Sequence, residues 1–415
     1  MRRTTRLWLA VGVAGLASAQ APQPDPLLPT RQADLFADAE RRSLLQANQS
    51  GHDGRFFIQS ADGTKRLNIG GYAQIRYYAN IVDETPTQDT FESGFQVERT
   101  RLVFSGQVAD GTTFLILPSA GRNGTFGLLD VWIKQDLSEI IGEGWSITGG
   151  QFKLPFWREW LVSERFIQPV ERSTLAIDFA SIYGQGVKLS YLSGQTLFEI
   201  AYSDGLRSLN SDFAPAGPMT ADTESEAGAV TVRLETQLFG SKGDFSDMTS
   251  LGTEEPGLLV GAATHWQGET RSFFGTEINN LTQGTVDISY EAPGSNLFAA
   301  AVIRHIEFPG GGDEIDLGAI AQGGVFVSEN VEAFGRYTVL VPDSDAPGDD
   351  PFHELLAGAT WFVAGHAIKL TGDIQYFFQS PSDTTVVGFG PNPGTGLLNS
   401  DGGQLSARLQ LQFVF

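Results

Sequence analysis

From residue 65 to the end of the chain, apolar and polar residues alternate with a period of two. This pattern marks strands with one apolar and one polar face. In 67–79, Leu67, Ile69, Ala73, Ile75 and Tyr77 alternate with Asn68, Tyr72, Gln74 and Arg76. In 368–378, Ile368, Leu370, Ile374, Tyr376 and Phe378 alternate with Lys369, Thr371, Asp373 and Gln375. In 404–415, Leu405, Ala407, Leu409, Leu411, Phe413 and Phe415 alternate with Ser406, Arg408, Gln410 and Gln412. Many runs are roughly nine to fourteen residues long, against ~5–6 in globular sheets, which suits a tilted strand crossing a bilayer. About sixteen such strands are predicted. They start near Arg66, Phe95, Thr112, Thr125, Trp145, Gly186, Thr196, Gly228, Leu258, Gly284, Asn296, Glu314, Val331, Glu354, Ala367 and Gln404.

The connections tend to alternate between long (80–94, 154–185, 342–353, 380–403) and tight (109–111, 194–195, 365–366). Long loops at one rim and short turns at the other are the pattern of a membrane barrel. Three connections break it: 240–257 and 136–144 are long where turns are expected, and 308–313 is short where a loop is expected. The predicted fold class is all-β, a transmembrane antiparallel β-barrel of about sixteen strands with a short N-terminal helix. A soluble sandwich, propeller or solenoid is the competing all-β reading. The strand lengths and the lack of a 40–50-residue repeat weigh against it.

The first residues follow a different logic. Arg2, Arg3 and Arg6 precede an apolar core over 7–16, and Ala17-Ser18-Ala19 offers small residues for cleavage. This predicts a signal peptide over 1–19, cleaved near Ala19, and hence export. Residues 20–64 are predicted as a periplasmic linker carrying a short helix over 31–46, and 65–415 as the barrel. The chain has no Cys, which removes disulfides and thiolate chemistry. Its net charge is −22, with 27 basic residues against 49 acidic, so no nucleic-acid partner is expected. The five histidines are scattered without a metal-binding spacing, and no cofactor or metal is expected. The acidic stretch 343–350 lacks the spacing of a calcium loop.

In a membrane barrel the apolar set faces lipid and the polar set faces the lumen. Parity then places Arg76, Arg99, Arg101, Lys134 and Lys188 on the lumen wall, with Arg233, Arg336, Lys369 and Arg408. The acids Asp130, Glu235, Asp316, Glu332 and Asp373 share that wall. At this size side chains do not fill the lumen, so it holds water. The longest unusual connection follows the fifth strand, where Pro155 ends a run and residues 154–183 continue. Phe156, Trp157, Trp160 and Phe166 give it a packed apolar side, and Lys153, Arg158, Arg165 and Arg172 stand beside Glu159, Glu164, Glu171 and Asp178. It is predicted to fold inward and narrow the lumen. Its bases either face the passage or pair with these acids to hold the loop's shape.

Several segments resemble the phosphate-selective porins O and P: FQVERTRLVFSGQVADG (95–111), LLDVWIKQDL (128–137), GGQFKLPF (149–156), VERS (170–173) and GQGVKLSYLSG (184–194). The resemblance covers roughly 65–415. It implies a trimeric outer-membrane channel for small hydrophilic solutes and ions, anions such as phosphate among them. It also implies pore-lining or loop-anchoring roles for Arg99, Arg101, Lys153 and Arg172. The partners it implies are membrane lipid, the permeating solutes, two further copies of the chain, and the barrel assembly machinery reading Phe415. The chain departs from that family in charge: an acidic vestibule attracts cations, so a cation-preferring general porin is the alternative. A barrel enzyme needs a nucleophile or acid pair clustered at one rim, and none is evident. A structural or adhesive barrel is the remaining reading.

Overall fold

The computed structural model describes residues 49–82, 91–122, 124–180, 183–210, 228–240, 244–343 and 350–415. The expected signal peptide, the 31–46 helix, the acidic stretch 223–226 and most of 343–350 lie outside them. The chain divides into two compact units, Met1–Gln49 and Ser50–Phe415, and the barrel is the second.

A small hairpin of β1 (Ser50–His52) and β2 (Phe56–Gln59) leads into β3 (Arg66–Ile81) and β4 (Phe91–Ala109). There follow β5 (Thr112–Ala120), β6 (Phe126–Asp136), β7 (Trp145–Phe152), β8 (Gly184–Ser193), β9 (Thr196–Ser203), β10 (Ala229–Phe239) and β11 (Gly257–Gln267). A loop hairpin, β12 (Thr270–Phe273) and β13 (Thr276–Ile278), precedes β14 (Asn280–Ala292). The last are β15 (Ser295–Glu307), β16 (Asp313–Ser328), β17 (Val331–Val341), β18 (Phe352–Ala364), β19 (Ile368–Phe377) and β20 (Gln404–Val414). β3–β11 and β14–β20 form a closed antiparallel barrel of 16 strands. β20 closes on β3, with Leu405 opposite Ile81 and Val414 opposite Tyr72. Phe415 completes the seam by exchanging backbone hydrogen bonds with Gly71 at 2.9 and 3.0 Å. The predicted strand starts fall within four residues of the observed ones throughout.

Alternation explains the two faces. Phe95, Val286 and Ile374 point outward and are 83%, 60% and 58% exposed, a surface suited to lipid tails. Tyr202, Trp266, Tyr290, Tyr337, Trp361 and Tyr376 are also outward, as the aromatic girdles of such barrels require. Inward positions such as Arg76, Arg304 and Gln412 are fully buried. One bulge breaks the parity. Gln74 faces Arg99 and Ile75 faces Val97, so Glu98 is the extra residue on β4. Glu98 and Arg99 therefore both serve the inner face.

Two glycines are required by local geometry. Gly150, in the GGQF run, has φ +126°, and a Cβ there would stand 2.2 Å from the Val131 carbonyl oxygen. Gly318 on β16 leaves room for Leu175, whose Cδ1 would be 2.1 Å from an added Cβ.

Leu175 belongs to loop three, which starts after β7 and crosses the lumen. Its pieces are a helical turn Arg158–Leu161, a 3-10 turn Glu164–Phe166 and a helix Thr174–Phe179. Ser173 caps that last helix, its Oγ accepting from the Ala176 amide at 3.0 Å. Phe156, Trp157, Ile167, Leu175 and Phe179 pack on Phe298, Ile320, Leu340, Phe352 and Phe377 of the β15–β19 wall. An apolar core thus sits inside the barrel, on one side of the lumen.

The irregular connection before β11 has a physical reason. Residues 244–256 fold up against loop three, where Met248 donates its amide to the Phe166 carbonyl at 3.0 Å. Arg158 donates to the Phe245 carbonyl, and His366 meets Asp247 at 3.2 Å. The long connection before β20 also turns inward, burying Val386 and Leu397 in the same apolar cluster.

Candidate functional site: the constriction in the lumen

Loop three is clamped across the lumen by side chains from many strands, mostly through its own backbone. Arg76 Nη2 donates to the Val170 carbonyl at 2.7 Å, Arg336 Nη1 to the Glu171 carbonyl at 2.9 Å, and Lys369 Nζ to the Ile167 carbonyl at 2.9 Å. Arg233 Nη1 donates to the Phe156 carbonyl at 3.0 Å, and Asp373 accepts from the Val170 amide at 2.9 Å. A loop without regular secondary structure has unsatisfied backbone groups, and a dry position inside a barrel makes each of them costly. These clamps satisfy them.

The loop's acids meet the wall's arginines. Glu171 is shared by Arg76 at 2.8 Å and Arg99 at 2.6 Å. Glu164 binds Arg101 at 2.6 Å and Arg172 at 2.9 Å. Glu159 receives the Ser173 amide at 2.8 Å and its hydroxyl at 2.6 Å. Elsewhere on the wall Arg233 pairs with Asp287, Arg304 with Asp316, Arg336 with Glu354 and Arg408 with Asp373, each at 2.7–2.8 Å. Most of the arginines that parity places in the lumen are therefore neutralised where they stand.

The candidate residues separate into groups. Arg76 and Arg99 share Glu171, Arg101 and Arg172 share Glu164, and the Arg172 amide links the two groups by donating to Glu171 at 3.0 Å. Arg158 lies apart, buried against Phe245 of the connection before β11. Lys153 follows β7 and donates to the Trp160, Leu161 and Val162 carbonyls at 2.7, 3.4 and 3.3 Å. Arg165 stacks on Phe166, 4.7 Å from the ring centroid, and makes no ion pair among the described residues. Lys188 pairs with Glu199 at 2.8 Å, and Lys134 is exposed to the lumen.

What loop three leaves open lies against β4–β6. A cavity of about 410 Å³ is bounded by Arg101, Val103, Leu115, Leu117, Asp130 and Trp132 on the wall. Leu161, Ser163, Glu164 and Arg165 bound it from the loop, with Lys153, Tyr183 and Arg55 at its edges. A second cavity of about 770 Å³ lies one tier nearer the short-turn rim, lined by Gln107, Thr113, Lys134, Glu199 and Glu235. The two follow the same strands in successive inward positions: Ser105 then Gln107, Leu115 then Thr113, Trp132 then Lys134. The upper cavity is the smaller and is the one that loop three borders, so it is the candidate constriction.

Burial alone would raise the Glu164 carboxyl, but Arg101, Arg172 and Lys153 hold it well below the usual carboxylate range. Burial pushes the Lys153 amine down to about 8, and Glu164 only partly opposes this. Lys153 therefore carries its charge below that pH and loses it above. Raising the pH from 7 to 9 is expected to lower the anion:cation permeability ratio, and Lys153→Met is expected to abolish most of that change. Reversal potentials across a salt gradient measure it. Asp178, which burial raises to about 8, titrates in the same window, so a step that persists in Lys153→Met would be assigned to it.

Sequence parity missed Glu98, which the bulge turns inward to 3.7 Å from Arg76. Tyr72 and Tyr183 were also unmarked as site residues, and both border the upper cavity. The inward leucines of β5 had a signal: Thr113 and Ser119, at the same parity as Leu115 and Leu117, are its polar positions.

No protein-family model and no curated protein matches the sequence. The fold is similar to solved outer-membrane proteins. An anion-selective porin from Comamonas acidovorans aligns at TM-score 0.56 and 12% identity, covering 85% of this chain and 100% of that one. The outer membrane channel DcaP of Acinetobacter baumannii aligns at 0.55 and 12%, covering 86% and 99%. OmpT of Vibrio cholerae, in trimer form, aligns at 0.52 and 10%, covering 84% and 99%. The barrel shares its fold with these outer-membrane proteins.

Proposed function

We propose that the chain is an outer-membrane porin, a passive diffusion channel for small hydrophilic solutes and ions, and not an enzyme. The observation that carries this is the pair of cavities stacked along β4–β6, the upper left open between loop three and the wall and the lower between the wall and Phe245 and Ser246. Exported by its leader and cleaved near Ala19, the chain sits in the outer membrane with its long loops outside and its short turns in the periplasm. Phe415 is the contact for the barrel assembly machinery, and the assembly is a homotrimer, a reading supported by the trimeric form of one similar barrel. Arg101, Lys134, Lys153, Arg165 and Lys188 serve the passage. Arg76, Arg99, Arg158 and Arg172 anchor the loop.

Anions are the preferred ions, phosphate among them. Arg101 and Arg172 balance Glu164, and Lys153 lies beside Asp130, which leaves Arg55 and Arg165 without an ion-pair partner among the described residues. The second reading, cation preference, rests on the overall charge of −22. Single-channel recording of the folded protein in planar bilayers tests the channel, and absence of stepwise conductance overturns it. Reversal potentials in a KCl gradient decide between the two ions.

A further inference from the structure

A water-filled lumen has little use for leucine, yet one strip of this wall is apolar. On β5 the inward set is Thr113, Leu115, Leu117 and Ser119. Ser119 Oγ accepts from Arg101 Nε at 3.3 Å, Thr113 borders the lower cavity, and Ile116 between the leucines is turned to the lipid side. Leu115 stands directly opposite Trp132 on β6, and Val103 of β4 joins them at the same cavity. The apolar cluster that packs loop three lies on β15–β19, and Trp132 packs against a second one around Phe152 and Leu154, which leaves Val103, Leu115 and Leu117 of the strip outside both clusters. Apolar surface kept against water is disfavoured by ~25 cal/mol per Å², and a contiguous patch of it marks a contact site.

Across the cavity stand two cations that form no ion pair among the described residues. Arg165 and Arg55 make no ion pair among the described residues, and Arg165 Nε is a buried donor without a partner. A buried unsatisfied donor calls for an explanation. Arg55, from the tip of the β1–β2 hairpin, donates to Ser105 Oγ at 3.5 Å, its one side-chain hydrogen bond among the described residues.

We infer that the constriction is a binding subsite for small amphiphilic organic anions, molecules with a carboxylate head and a short hydrocarbon or aromatic tail. The head is held by Arg165 and Arg55, and the tail lies on Val103, Leu115, Leu117 and Trp132. This rests on the channel reading and gives it a solute class. Guanidinium groups take carboxylates in a forked, charge-assisted geometry. Each methylene that leaves water for the strip adds to the binding, in proportion to the share of it that is buried. A volume of about 410 Å³ admits such a solute with some of its water. Binding that is favourable at the narrow point, yet incomplete, draws solute in and still releases it.

The test is the block of chloride current in planar bilayers by acetate, butyrate and hexanoate, with hexanol as the uncharged control. Hexanoate is expected to block at a concentration about tenfold lower than acetate, and hexanol not to block. The hexanoate:acetate ratio is expected to fall towards one in Leu115→Asn/Leu117→Asn. Arg165→Gln is expected to weaken block by all three acids together. Heat-shifted gel migration confirms that each variant is folded. Equal block by acetate and hexanoate in the unmodified protein overturns the subsite and leaves the channel standing. So does a ratio unchanged in the leucine variant, or, should that variant not fold, unaltered block in Arg165→Gln. A folded protein with no chloride conductance overturns the channel and the subsite together.

Discussion

Replacing Glu164 with Gln is expected to raise the anion:cation permeability ratio about tenfold at low salt. Glu164 is the carboxylate that loop three presents to the constriction, and it neutralises Arg101 at 2.6 Å and Arg172 at 2.9 Å. The substitution removes one negative charge and leaves the size of the side chain unchanged. Arg101 would then face the passage beside Lys153 and Arg165 with its charge uncompensated. Two unit charges 4 Å apart interact by about 1 kcal/mol in water and about 4 kcal/mol at an effective dielectric of 20. A tenfold change corresponds to 1.4 kcal/mol, inside that interval. The measurement belongs near 0.1 M salt, where the screening length is about 10 Å; at 1 M it is about 3 Å and the shift fades. A reversal potential that does not move would show that ions do not pass the Glu164 face of the loop.

The barrel was legible because its rule is local. A strand with lipid on one side and water on the other must alternate, and the alternation survives in the sequence of every barrel strand from β3 to β20. The inward position of Arg76, Arg101, Arg233, Arg336, Lys369 and Arg408 followed from the same parity. Their electrostatic state did not. Their partners are either a neighbouring strand's acid, fixed by register, or a loop-three acid, fixed by how the loop crosses the lumen. Glu164 and Glu171 carry no sequence signal saying which arginines they will meet. Glu98 was lost to a bulge, which changes parity by one residue without changing composition. The inward fold of 244–256 was visible only as an irregular length. It is explained by what it covers: Phe245 and Met248 are buried beneath loop three. The proposed anion preference rests on the same contacts, because what counts is which guanidinium groups form no ion pair among the described residues after the loop has docked.

Glu354→Ala is expected to be among the most damaging single changes in the barrel, and Arg336→Met/Glu354→Met to recover most of the loss. Glu354 is fully buried. It accepts from Arg336 Nε at 2.9 Å and Nη2 at 2.7 Å, and from the Thr174 amide at 3.2 Å and hydroxyl at 2.8 Å. It therefore ties β17 and β18 to the start of the Thr174–Phe179 helix. Alanine would leave the Arg336 guanidinium buried, with the Glu171 carbonyl at 2.9 Å and Glu159 at 3.7 Å as its remaining partners. Breaking a buried pair from one side costs about 3–5 kcal/mol, whereas replacing both partners with apolar side chains of similar volume is often neutral. The single variant should thus lower the temperature at which the barrel unfolds on heating in detergent. It should also loosen loop three, which would appear as larger and noisier open-channel current. In the double variant two methionines extend the apolar surface already formed by Leu175, Leu340 and Phe352, so the unfolding temperature should return towards that of the parent. The Thr174 hydrogen bonds stay lost in both variants, so the current noise should recover less than the stability does. A single variant as stable and as quiet as the parent would show that loop three is held by its apolar contacts alone, with the ion pairs contributing no net restraint.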